Sequence, residues 1–258
     1  MEVRVKRVKL AYGERNSQFG HVYLPTSPAE NGVPVIVLVH GGYWSTEFGL
    51  TIETAIARDL AARGAVVWNI EYRRVGEEGG GWPRTGNDVV AAISALDGPV
   101  RYALPEHIAS AADWSRVTVI GHSAGGQLGV WAVAQLGAVT KRAAISTVIA
   151  QAAPLDLQSG GRAGRPSLRA LMGASIKQAP QLYRDASPVE QAPFPAHVVA
   201  IHGELDESVP VEVSRDYVHR VVHAGQSAEL IVVPGEGHDV FVNPRSRGHR
   251  ETVRVLGI

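Results

Sequence analysis

The stretch from Val117 to Val133 most limits what this chain can become. Val117-Thr118-Val119-Ile120 is an unbroken run of β-branched residues, the pattern of a short strand buried on both faces. Gly121-His122-Ser123-Ala124-Gly125-Gly126 follows at once, and Gln127-Leu128-Gly129-Val130-Trp131-Ala132-Val133 then reads as a helix. A strand, G-x-S-x-G and a helix in succession demand a very tight turn. Its central residue takes a strained backbone conformation, with its side chain standing clear at the tip. Glycine flanks that residue because a Cβ there would strike the adjoining strand or helix. Ser123 is therefore expected to be a nucleophile.

The rest of the chain supplies a matching scaffold. Val35 to Val39, Ala65 to Ile70, Ile145 to Ala150, His197 to Ile201 and Leu230 to Val233 are further continuous apolar runs. Helical spacing separates most of them. Ile52, Ala55, Ile56 and Leu60 share a face ahead of Gly64, and Val89, Val90, Ile93 and Leu96 do so after a capping Asn87 or Asp88. Tyr217, Val218, Val221 and Val222 precede Gly225, and Val253 to Leu256 lie in a closing helix. Alternating strands and helices predict a mostly parallel sheet covered by helices on both faces. Near the start, Val3, Val5, Val8, Leu10 and Tyr12 alternate, with a slip at Lys6-Arg7 that suits a bulge. With Gly20 to Leu24 they predict an antiparallel N-terminal hairpin at one sheet edge. Residues 157–195 hold no strand pattern and predict a lid-like insertion with short helices at Ser167 to Met172 and Gln178 to Tyr183.

At 258 residues with 25 basic and 25 acidic side chains, the chain suits a single α/β domain over 1–258. That balance argues against a nucleic-acid surface. No apolar run is long enough to span a bilayer, and Met1-Glu2-Val3-Arg4-Val5-Lys6 is too charged for a signal-peptide core. No membrane partner is therefore expected, and a cytoplasmic location is. The absence of cysteine excludes disulfides, thiolate metal sites and a cysteine nucleophile.

A serine hydroxyl needs a base. His238, in Pro234-Gly235-Glu236-Gly237-His238-Asp239 directly after the last strand, is the best placed. His21, His107, His219, His223 and His249 fall on edges, loops or helix surfaces, and His122 is expected to point away from the serine. A carboxylate must orient the imidazole. Asp206, in His202-Gly203-Glu204-Leu205-Asp206-Glu207, is preferred to Asp156, with Glu204 and Glu207 as neighbouring rivals. Donors for an oxyanion are expected from Ala124 and from His40-Gly41-Gly42-Tyr43-Trp44 at the end of another strand, with Gly41, Gly42 and Tyr43 forming the loop.

These motifs together resemble the α/β-hydrolase superfamily, whose triads run Ser, Asp, His in chain order. Within it, His40-Gly41-Gly42-Tyr43-Trp44 with Gly121 to Gly126 is similar to the H-G-G-x-W group. That group contains kynurenine formamidases (arylformamidases) and small esterases related to the hormone-sensitive-lipase branch. The resemblance implies an α/β-hydrolase fold, the triad Ser123, Asp206 and His238, and a serine hydrolase of a small-molecule ester. An arylformamidase is the alternative, and a non-catalytic binding module a second one that a complete triad disfavours.

Other chemistries lack their residues. Gln127-Leu128 stand where a phosphate-binding loop needs Lys and Ser or Thr, and no H-E-x-x-H cluster exists, so no cofactor or catalytic metal is expected. Tyr43 and Trp82 offer aromatic surface for a substrate, while Trp44 is expected to pack under the oxyanion loop. Arg162, Arg165 and Arg169 could meet a substrate carboxylate. Oligomeric state leaves no mark in the sequence.

Overall fold

In the computed structural model, which describes residues 5–159 and 165–258, the apolar runs form the middle of one sheet. Its strands are β1 (Arg7–Ala11), β2 (Phe19–Tyr23), β3 (Val35–Val39), β4 (Val66–Ile70), β5 (Val117–His122), β6 (Ile145–Gln151), β7 (His197–Gly203) and β8 (Ala228–Val233). They lie in the order β1-β2-β4-β3-β5-β6-β7-β8. β2 runs antiparallel to both its neighbours, and every pairing from β4 to β8 is parallel. The predicted mostly parallel sheet with its N-terminal hairpin is what the chain forms. β1 begins in regular register at Arg7, so the slip at Lys6-Arg7 is the strand's start and not a bulge within it. Val3 lies outside the described residues.

Every residue of β3, β4 and β5 is buried, as a strand covered on both faces requires. The alternation along β3 shows where its faces go. Val35, Val37 and Val39 join a core built with α2 (Arg84–Ser94), α5 (Ala124–Leu136) and α8 (Glu212–His223). Ile36 and Leu38 join a smaller core with α1 (Thr54–Ala62) and α9 (Arg247–Leu256).

Two sequence expectations about helices need correction. α2 starts at Arg84, so Asn87 and Asp88 lie inside it instead of capping it. Asp88 is instead drawn to Arg73, which donates through Nε and Nη2 at 2.8 and 2.6 Å. The short α3 (Pro99–Ala103) and α4 (Glu106–Ala111) were not anticipated, being too brief to show a helical period. Between β6 and β7 the described residues hold α6 (Pro166–Met172) and α7 (Pro180–Ala186) and no strand. Leu168, Leu171, Met172 and Tyr183 are buried and fasten this segment to the larger core.

Candidate active site

Ser123 stands between β5 and α5 at φ 52° and ψ −120°. Positive φ is costly for a residue with a Cβ, by about 1–3 kcal/mol, and persists only where surroundings enforce it. The flanking glycines do the enforcing. A Cβ on Gly121 would lie 2.2 Å from the Gly125 carbonyl oxygen, and one on Gly125 would lie 2.1 Å from that of Val39. Main chain approaches so closely on both sides that no other residue fits.

The ends of three parallel strands converge here. Ser123 Oγ lies 2.9 Å from His238 Nε2, and His238 Nδ1 lies 2.7 Å from Asp206 Oδ2. Asp206 follows β7 and His238 follows β8, so one sheet aligns all three groups. The other Asp206 oxygen accepts from the amides of Ser208 and Val209 at 2.8 and 2.7 Å. Burial pushes the Asp206 carboxyl up, but hydrogen bonds from His202, His238 and the Val209 amide outweigh it and hold it well below the usual carboxylate range. The rivals lie elsewhere. Asp156 accepts from Arg220 at 3.3 Å, Glu204 from the Gly235 amide at 3.0 Å, and Glu207 is exposed.

Two histidines form a second tier that periodicity misses. His202, at the end of β7, has Nε2 2.7 Å from the Val209 carbonyl and 3.2 Å from Asp206 Oδ2, while Nδ1 lies 2.7 Å from the Ser214 hydroxyl. His122, expected to turn away from the serine, packs on His238. Its ring is 4.9 Å from that of His238, and its Nε2 is 3.0 Å from the His238 carbonyl oxygen, to which it donates. Burial, then the nearby charge of His238, pushes its pKa down to about 3 and keeps it neutral.

His122, His238 and Asp239 bring ligand-type atoms within 4.8 Å of one another. Both nitrogens of His238 are committed to Ser123 and Asp206, however, and Nε2 of His122 is committed to a carbonyl. Hydrogen bonding holds the two histidine rings of this grouping in place.

The loop after β3 faces the serine. A Cβ on Gly41 would lie 3.1 Å from that of Ser123, so glycine permits the approach. Among the described residues, no backbone carbonyl takes the amides of Gly42, Tyr43 or Ala124. For Ala124 that is the ordinary state of a helix's first N–H. His40 braces the loop from beneath, with Nδ1 2.7 Å from the Gly41 carbonyl and Nε2 2.7 Å from Glu71 Oε1. Because the peptide is trans, a Gly41 carbonyl held toward the ring leaves the Gly42 N–H pointing the opposite way within the peptide plane. Tyr72 stacks on His40 at 4.3 Å and donates to its carbonyl at 2.9 Å.

Trp44 is buried as expected. Its indole donates to Gln127 Oε1 at 3.0 Å, and Gln127 Nε2 donates to the Ala186 carbonyl at 2.8 Å. Gln127, one of two glutamines in an otherwise apolar helix, was the signal for this tie.

A cavity of about 30 Å³ lies at the serine, walled by Tyr43, Trp44, Leu157, Leu168 and Val209, with Arg165 also in its lining. At about 10–15 Å³ per water-sized probe, it takes only a few heavy atoms. Trp82 is not part of that wall; its ring lies edge-on to Trp131 at 4.6 Å. Arg169 faces a separate surface hollow, and Arg162 lies outside the described residues.

The sheet order, the turn at Ser123 and the triad-like grouping define an α/β-hydrolase fold. The chain belongs to the BD-FAE family, whose description matches residues 21–221. Esterase LipC of Mycobacterium tuberculosis is 29% identical over 91% of this chain and 60% of its own length. The chain spans about 60% of the length of the curated relatives it matches. Among solved structures, a truncated carbohydrate esterase from gut microbiota superposes with a TM-score of 0.80 at 20% identity, covering 100% of this chain and 97% of that one. Thermogutta terrifontis esterase 2 phosphonylated by sarin gives a TM-score of 0.72 at 20% identity, covering 98% and 92% respectively. Among the described residues, no helix is long and apolar enough to cross a membrane.

Proposed function

We propose that the chain is a serine hydrolase of small carboxylic esters, working through an acyl-enzyme. The observation that carries this is the hydrogen-bonded line Ser123, His238, Asp206 beside free loop amides. His238 takes the hydroxyl proton as Ser123 Oγ attacks the ester carbonyl. Asp206 steadies the resulting imidazolium, and the amides of Gly42, Tyr43 and Ala124 receive the oxyanion. Collapse expels the alcohol, which receives its proton from His238. Water then repeats the sequence, with His238 as base, and releases the acid.

The cavity supports a short acyl group, because it takes only a few heavy atoms. Tyr43 and Phe48, 44% and 37% exposed with rings 6.2 Å apart, offer an aromatic surface to the alcohol portion. The described residues of the 157–195 insertion cap the cavity of a single domain, supplying Leu157, Arg165 and Leu168 to the wall. Esterase names among the relatives favour an ester over a formamide. Phosphonylation of a structural neighbour fits a nucleophilic serine.

Initial rates on p-nitrophenyl acetate and N-formyl-L-kynurenine test the reading, with Ser123→Ala alongside. The expected result is ester turnover that Ser123→Ala abolishes. Unchanged turnover in that variant would refute the nucleophile, and faster serine-dependent turnover of the formamide would refute the ester.

A further inference from the structure

Arg165 is the one cationic side chain, among the described residues, in a cavity wall made mostly of apolar and aromatic groups around Ser123. Its position is set by its neighbours. Pro166 follows it and holds it extended at φ −62° and ψ 137°. The helix that Pro166 opens is pinned by buried Leu168 and Leu171, and the Leu171 carbonyl accepts from the Trp82 amide at 2.8 Å.

Several arginines have acidic partners, while others such as Arg58, Arg84 and Arg169 have none among the described residues but lie outside this cavity wall. Arg73 meets Asp88 at 2.6 Å, Arg74 meets Glu71 at 3.3 Å, and Arg220 meets Glu190 at 2.8 Å. Arg165 has no such partner among the described residues. The nearest anion of the site, Asp206, has both oxygens occupied, one by His238 and His202 and the other by two amides. An arginine that lines the same mostly apolar cavity as Ser123, without a carboxylate of its own, is suited to receive one from a ligand. Ser167 and Ser208 hydroxyls in the same wall add neutral donors.

We infer that Arg165 selects substrates carrying a carboxylate, so that the preferred ester is an anionic one held by a guanidinium–carboxylate pair while Ser123 attacks. This rests on the ester-hydrolase reading above and narrows its substrate class. Hydrogen bonds to charged groups are worth enough to change affinity by about 10- to 100-fold.

The test compares phenyl acetate with 3- and 4-acetoxybenzoate, which differ from it by a carboxylate, and with the 3-trimethylammonium analogue of phenyl acetate. The wild-type chain is expected to give a higher kcat/KM on at least one acetoxybenzoate than on phenyl acetate. Arg165→Gln should lower that value about 10- to 100-fold, mainly through KM, and lower the rate on phenyl acetate by a much smaller factor. Arg165→Glu should shift preference toward the cationic ester. Equal wild-type rates on charged and neutral esters, no turnover of either acetoxybenzoate, or an equal loss on all substrates in Arg165→Gln would each overturn the inference. Turnover of phenyl acetate that survives Ser123→Ala would instead overturn the hydrolase reading, so the two failures are distinguishable.

Discussion

Glu53 is fully buried at 0% exposure, and neither carboxyl oxygen has a hydrogen-bond partner among the described residues. It lies in a single 3-10 turn, Leu50–Glu53, between the loop after β3 and α1. Burial alone pushes its pKa up to about 8 from an ordinary 4.5. Below pH 4.5 the group is protonated in folded and unfolded chains alike and contributes nothing to pH dependence. Above it, the unfolded chain ionises while the folded one stays neutral. Stability then falls by about 1.4 kcal/mol per pH unit until the folded carboxyl ionises near pH 8, where the loss levels off. At pH 7 the accumulated cost is about 3 kcal/mol. Glu53→Gln keeps the shape and the unpaired polar atoms but removes the proton equilibrium. The variant should match the wild type near pH 4.5 and exceed it by about 3 kcal/mol at pH 7, a rise of about 6–12 °C in Tm. Urea unfolding of both proteins at several pH values measures the difference, in which all other titrating groups cancel. A difference that does not change with pH, or a less stable variant at pH 7, would refute the reasoning.

Two further outcomes follow from the site. Asp206→Asn should reduce kcat by about 10⁴ on p-nitrophenyl acetate, measured on variant protein shown by circular dichroism to be folded, because the amide holds the wrong tautomer of His238; a kcat within tenfold of the wild type would rule out Asp206 as the orienting group. Gly125→Ala should cost more than about 3 kcal/mol, since its Cβ would lie 2.1 and 2.4 Å from the Val39 and His40 carbonyl oxygens, and main chain cannot yield as a side chain would. Thermal unfolding of a soluble, stable Gly125→Ala protein would contradict that packing.

Features that depend on local pattern could be read before the fold was known. Unbroken β-branched runs marked the buried strands, and the glycines around Ser123 marked a turn with no room for a Cβ. Features that depend on distant partners could not. His249 was expected on a helix surface, yet it is buried and lies 2.8 Å from Asp59, 190 residues away in the chain. Nothing near His249 announces that partner. Asn87 and Asp88 looked like caps because their residue types favour helix starts, but the nearby guanidinium of Arg73 claimed Asp88 for an ion pair. His122 and His202 were hidden for a third reason. Strand alternation says which face a side chain takes, and says nothing about the ring that will lean on it from another loop.

The His238 loop is held at its far side by Glu236, whose carboxylate oxygens accept from the amides of Arg247 and Gly248 at 2.7 Å each, where α9 begins. A carboxylate at a helix N-terminus is favourable for both. The His238 loop is thus tied to α9, and His238 lies 115 positions beyond Ser123 in the chain. Loop closure over that distance is a late event in folding, because non-local pairing yields nothing until the chain entropy has been overcome. On the mechanism proposed above, turnover after dilution from denaturant is expected to return only once residues 247–256 have docked, which would time the closing of the sheet's β8 edge.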